Sequence, residues 1–150
     1  MTGLFFGNIM KDSNSYVLAA ETFNEDLSKW NVSSVTGMNY MFEGCKKFDS
    51  DLGKWKVDAV KEMRLMFKKT AFNQDISKWD VSSVTIMHDM FSESKLNQNL
   101  SIWNVAQVTD MTGMFKNNEA FHQQLCWNLE GVKRGLDTMF DGSSGSIGCD

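Results

Sequence analysis

The sequence predicts an α/β fold, a short right-handed leucine-rich-repeat-like solenoid of about five strand-helix repeats of 24 to 25 residues with capped ends. Three observations lead there. Tryptophans fall at Trp30, Trp55, Trp79, Trp103 and Trp127, in steps of 25, 24, 24 and 24 residues. Met-Phe pairs at 41/42, 66/67, 90/91, 114/115 and 139/140 keep the same beat. Each repeat also divides into two halves of different apolar spacing. A period in the twenties marks units too small to bury an apolar face alone, which therefore stack on their neighbours. The whole of 1–150 reads as one array: 1–22 a partial repeat and N-terminal cap, 23–140 five repeats, and 141–150 a C-terminal cap or tail.

At the start, Met1-Thr2-Gly3-Leu4-Phe5 matches Met111-Thr112-Gly113-Met114-Phe115 in register, so the chain opens in the second half of a repeat, as if cut from something longer. The surplus residues that follow are expected to form an irregular segment with a short helix over 16–21, covering the open end of the core. From Phe23 onward the first half of each unit, typified by FNQDISKW (72–79), sets Ile76 and Trp79 among polar residues and is short, as suits a strand in a parallel stack. The second half places Val84, Met87, Met90 and Phe91 at i, i+3, i+6 and i+7, the spacing of a helix of two to three turns. Ser82, Ser33 and Asp58 stand where N-caps belong, while Ala106 and Glu130 break that rule. Gly37 and Gly113 weaken the helices. The competing arrangement is all-β, with VTDMTGMF forming turns and a second strand.

Stacking puts like residues of successive units in rows. The apolar rows predicted for the core are Phe23, Phe48, Phe72, Leu96, Phe121; the five tryptophans; Val35, Val60, Val84, Val108, Val132; and Met38, Met63, Met87, Met111, Leu136. A polar row of Asn24, Asp49, Asn73, Asn97 and His122 is expected to bond turn backbone as an asparagine ladder. After Phe140 the chain turns to DGSSGSIGCD, and Leu125-Cys126-Trp127 is one residue short of the other units, as in a capping repeat.

The composition, 42% apolar and 12% aromatic, belongs to a folded chain. The net charge of −4 is spread along the length and leaves no basic footprint for nucleic acid. No apolar run reaches the roughly 20 residues of a membrane span, and the start has no signal-peptide pattern. Three cysteines have no metal-ligand spacing. Cys45 reads as a small core residue; Cys126 and Cys149 read as a disulfide tying the tail over the end of the core in an oxidising compartment. His88 and His122 have no serine or cysteine arranged for nucleophilic catalysis, so no enzyme, cofactor or metal is expected. Rows of Asp26, Asp51, Asp75 and of Lys29, Lys54, Lys78 run side by side; the lysines and the row's ending in Asn99 and Gln124 argue against calcium. The same strand side is the candidate binding face: Asp26, Ser28, Asp51, Asp75, Ser77, Asn99 and Ser101. Sequons begin at Asn31 and Asn99, with Asn99 the preferred glycosylation acceptor if the source is a secretory eukaryote.

The phrases FNQDISKWDVSSVT, VTDMTGMF and MFEGC resemble the BspA-like surface-protein repeat family, related to leucine-rich repeats and common in mycoplasma lipoproteins. The match runs from about Phe23 to Phe140, and CWNLEGV with GSSGSIGC is similar to terminal units of eukaryotic microbial members. The insertion after Phe5, Leu96 in place of Phe and the missing cap at Ala106 depart from the pattern. The resemblance implies a secreted or cell-surface module for adhesion, protein binding or structural assembly, with a protein partner or larger assembly and no catalytic motif to carry over; its export signal lies outside this sequence. Carbohydrate binding through the Asn, Asp and Gln rows is the alternative, although the aromatic rings that stack on sugars are assigned to the core.

Overall fold

The structure is a computed structural model and describes residues 21–149. The opening half-repeat and all but the last residue of the 16–21 helix lie outside the described residues. Beyond Thr22 no described residue is helical, and the described strands are β1 (Gln124–Leu125) and β2 (Ser146–Ile147), paired in parallel with Gln124 opposite Ser146 and Leu125 opposite Ile147. The predicted α/β strand-helix solenoid is therefore overturned. The all-β alternative fails as well, since VTDMTGMF forms turns but no second strand.

What replaces the helix follows from backbone conformation. The Met-Phe halves carry left-handed residues four apart: Tyr40 and Gly44, Leu65 and Lys69, Asp89 and Glu93, Gly113 and Asn117. A right-handed helix cannot contain such residues, and each non-glycine one costs about 1–3 kcal/mol unless its surroundings over-determine it. Here they do, because alternate amides bond inward and outward. In the second unit Met66 N–H donates to the Met63 carbonyl and Lys68 N–H to Leu65, closing turns. Between them Met63, Leu65, Phe67 and Lys69 donate to the carbonyls of Ile86, His88, Met90 and Ser92 in the third unit, at 2.9–3.0 Å. A repeated step of three residues serves successive turns as well as a helix, which is why Val84, Met87 and Met90 still face one way.

Isolated parallel bridges run Gly37, Glu62, Ile86, Asp110, Arg134, joining the same position in five successive units. Thus the inter-unit ladder lies in the predicted helical half. Outside β1 in the fifth unit, the predicted strand half is turns and coil held by side chains. Along it the asparagine ladder forms: Asn24 Oδ1 accepts from Asp49 N–H, Asp49 from Asn73, Asn73 from Asn97, and Asn97 from His122, at 2.8–3.2 Å.

The apolar rows make one core, except that Trp30 at the start of the tryptophan row is 37% exposed rather than buried. The Trp79 indole N–H donates to the Leu52 carbonyl of the preceding unit at 3.0 Å, and Trp55, Trp103 and Trp127 repeat that bond to Leu27, Ile76 and Leu100. Trp79, Trp103 and Trp127 stack nearly parallel at 6.4–6.5 Å. The second-half phenylalanines Phe42, Phe67, Phe91, Phe115 and Phe140 form a column with centroids 5.4–5.7 Å apart. Cys45 is buried, and burial pushes its thiol up to about 11. Leu136 is a correction: it is 51% exposed rather than in the methionine row. The fifth unit has one extra residue between its bridge and its Met-Phe pair, and left-handed Gly135 takes the place beside Met111, where a β-carbon would overlap the backbone of Thr112. Leu136 is thereby pushed out of line.

The Cys126–Cys149 disulfide is formed. It fastens β2 across the fifth unit, helped by Ser146 N–H to the Gln123 carbonyl and Gly148 N–H to Leu125. Reduction by a dithiol should free amides of 143–149 to exchange with solvent before those of 72–95, because units touch only their neighbours. Hydrogen exchange with and without reductant reads this, and simultaneous loss of protection in both segments would refute it. Trp79→Ala should cost ~3–5 kcal/mol, a ring removed from a filled core. Trp79→Phe keeps a ring but loses the indole N–H bond to the Leu52 carbonyl, which retains the Trp55 N–H, for about 0.5–1.5 kcal/mol. Denaturant melts distinguish the two, and a Trp79→Ala chain as stable as the parent would remove Trp79 from the core.

Candidate functional site

The candidate face is built from two rows of turns, each closed by an Asp or Asn side chain. In the first row Oδ1 of Asp26, Asp51, Asp75 and Asn99 accepts the backbone N–H two residues on, from Ser28, Gly53, Ser77 and Ser101, at 2.8–2.9 Å. In the second row Asn31, Asp80, Asn104 and Asn128 do the same for Ser33, Ser82, Ala106 and Glu130 at 3.0–3.2 Å. This corrects the capping assignment. Ser33 and Ser82 donate their backbone N–H instead of capping a helix, and Ala106 and Glu130, which break the helix-cap rule, obey the turn rule because their acceptors are Asn104 and Asn128. Lys56 occupies the corresponding place in the second unit.

These bonds decide what the face offers. The Ser28 hydroxyl and then its backbone N–H hold the Asp26 carboxyl below the usual carboxylate range; Ser77 does so for Asp75, and Ser82 for Asp80. Asp26, Asp51, Asp75 and Asn99 are exposed, and Ser28, Ser77 and Ser101 half-buried. Ser101 is drawn into the stack, its hydroxyl donating to the Gln124 carbonyl and accepting from Cys126 N–H. Both sequon asparagines are exposed turn residues, and Asn31 also accepts the Ser33 hydroxyl at 2.7 Å. The structure thus brings the seven predicted residues into one repeating surface. Along that surface the chemistry changes: Lys29, Lys54 and Lys78 are exposed three residues on from each Asp, but in the fourth unit the pair becomes Asn99 and Ile102, which is 73% exposed. Three units are zwitterionic and the fourth is neutral. Among the described residues no group of three or more His, Cys, Asp or Glu is placed to hold a metal ion.

A second polar feature escaped sequence reasoning. On the Met-Phe side a cleft of about 370 Å³ is lined by Lys68, His88, Asp89, Glu93, Thr112 and Lys116 among others. Lys68 Nζ meets Asp89 Oδ2 at 2.7 Å; burial works against the charge on Lys68, but the Asp89 bond and the carboxylates of Glu93 and Glu43 raise its pKa above the ordinary lysine value. Close by, burial works to raise the Asp110 pKa, yet bonds from Thr112 N–H and Oγ1–H, with the charges of His88 and Arg134, hold it below the usual range. No signal could have found the Lys68–Asp89 pair, because the two stand at different positions of their units. The cleft mixes both signs of charge.

A family model described as "Mycoplasma protein of unknown function, DUF285" matches residues 8–93 and again residues 68–146. The two placements overlap, as a repetitive sequence allows. No curated protein and no solved structure matches the chain.

Where a carboxylate is held below its unfolded pKa, its contribution to stability is present above the unfolded value and lost as pH falls through the folded one. Asp26, Asp75 and Asp80 should therefore weaken the fold below about pH 4. Asparagine keeps the Oδ1 acceptor without titrating, so the triple variant Asp26→Asn, Asp75→Asn, Asp80→Asn should melt with a flatter acid limb than the parent. Thermal melts between neutral and strongly acid pH measure it; identical limbs would show that the turns do not depend on ionised carboxylates.

Proposed function

This chain belongs to DUF285, a Mycoplasma protein family of unknown function, and on that premise we propose that it is a non-catalytic interaction module displayed at the cell surface or secreted, serving adhesion, protein binding or structural assembly. The single observation that carries the reading is the face of Asp-to-Lys turns, with Ser28, Gly53 and Ser77 between them, repeated at one-unit intervals and with its Asp and Lys side chains exposed. A repeating zwitterionic surface suits a macromolecule with spaced charges of its own, since each added unit contributes another contact without a new geometry. The Cys126–Cys149 bridge supports an oxidising setting outside the cell, and the BspA-like wording of the repeats supports a surface one.

The test uses immobilised protein against a surface extract of the native cell, beside a glycan array. The triple variant Lys29→Glu, Lys54→Glu, Lys78→Glu should keep the parent's melting temperature and lose binding to the captured protein about tenfold or more, which corresponds to 1.4 kcal/mol or above. Unchanged capture by that variant would remove the face from the interaction. Binding to glycans alone would replace the adhesion reading with a lectin.

A further inference from the structure

The cleft on the Met-Phe side opens where one side chain is missing. Tyr40, Leu65, Asp89 and Gly113 hold the same left-handed position in four successive units, and only the fourth has no side chain there. The Asp89 carboxylate leans into the gap, its Oδ1 standing where it would overlap a β-carbon on Gly113. Around it lies the cleft of about 370 Å³, within the ~300–1,000 Å³ of ordinary small-molecule sites, and none of its lining residues belongs to the first unit.

What the cleft takes follows from which of its groups are already paired. Its carboxylates are: Asp89 Oδ2 meets Lys68 Nζ at 2.7 Å, and Glu93 Oε2 faces Lys69 Nζ at 3.8 Å. The groups left over are donors. Lys116 is exposed, with no carboxylate in ion-pair reach among the described residues. The His88 ring, 3.9 Å from Asp89, and the side-chain amide of Asn117 make no hydrogen bond among those residues either. The Thr138 hydroxyl is buried and has no partner. A buried hydroxyl normally has one, so an orphan lining an open cleft marks a place for an acceptor from outside the chain. One spare ammonium suits a single negative charge, and two carboxylates in the walls oppose a second. The lone pairs those carboxylates keep can accept from hydroxyl groups. We propose that the cleft binds a hydroxylated carboxylate of the uronic acid class, with Lys116 taking its carboxylate, His88, Asn117 and Thr138 supplying further donors, and Asp89 and Glu93 accepting from its hydroxyls. A free uronic acid and a uronate unit of an acidic polysaccharide present this same chemistry. The site lies apart from the face of Asp-to-Lys turns and does not depend on what that face binds.

The experiment follows the amide resonances of the full chain during titration with galacturonate, galactose, inorganic phosphate and trigalacturonate. Galacturonate should give saturable shifts at His88, at 112–117 and at Thr138. Lys116→Gln, a change at an exposed position, should weaken that binding about tenfold or more, and Thr138→Val about threefold. Lys56→Gln, at an exposed lysine outside the cleft, should bind as the parent does. Tighter binding of trigalacturonate than of the monomer would identify the ligand as a polysaccharide, and equal binding as the free acid. Any glycan held here should be lost with Lys116→Gln and kept by the Lys29→Glu, Lys54→Glu, Lys78→Glu variant, which separates this site from the turn face. Three outcomes each overturn the proposal: no saturable shift at these residues, galactose bound as well as galacturonate, or phosphate bound as well, which would reduce the cleft to a general anion contact.

Discussion

Everything in this molecule depends on one constraint: each backbone group that leaves its own unit must find the same position in the next. The Met-Phe half meets it with alternate amides, half closing turns and half reaching across. Because that ladder joins like to like, side chains are forced into rows of their own kind, and each row must tolerate itself. Phenylalanine and tryptophan do so by stacking, which gains dispersion energy without a change of geometry. Asp and Lys do so by turning inward to a backbone N–H or outward to water. The left-handed conformation of Leu65, Lys69 and Glu93, unfavourable for each residue alone, is tolerated because the neighbouring unit takes up the amides it redirects.

The same constraint governs where the period varies. Spare residues must fall outside the ladder, at corners between halves, and the corners carry the buried polar side chains. Thr70 returns its hydroxyl to the Phe67 carbonyl, and Asn118 gives its amide to the Ser94 hydroxyl and the Leu96 carbonyl. These bonds supply partners for backbone that no ladder reaches, at places where an unpaired group would cost about 1–3 kcal/mol. The fifth unit breaks the rule by placing its extra residue inside the ladder, and Gly135 with the expelled Leu136 is the local result.

How much of this the sequence disclosed can be traced to particular residues. Rows of Trp, Phe, Val and Met were legible through the inner units, because repetition reports burial whatever the backbone does, while Trp30 and Leu136 in the outermost units are exposed; the asparagine ladder and the Cys126–Cys149 bridge were legible too. The helix was misread because Val84, Met87 and Met90 at three-residue steps fit turns and helix alike, and because left-handed residues are visible in sequence when they are Gly113 but not when they are Leu65 or Lys69. The caps were misread for a related reason. Ser82 before Val84 imitates a helix start, whereas the atom that organises the turn belongs to Asp80, two residues earlier. The candidate face was legible as composition, but its division into a charged and a neutral part needed the rows placed side by side, and the Lys68–Asp89 pair had no trace in the pattern at all.

The ladder that joins each position to its own counterpart 24 residues on also has a genetic meaning. A recombination that duplicates or drops one whole unit restores every bond at the junction, because the incoming edge is the same edge that left. Slippage within a unit, by contrast, breaks all rows together. Length in such a gene is therefore far freer to vary than reading register, and a lineage can lengthen or shorten the stack in single steps while the interior of each surviving unit stays as it was.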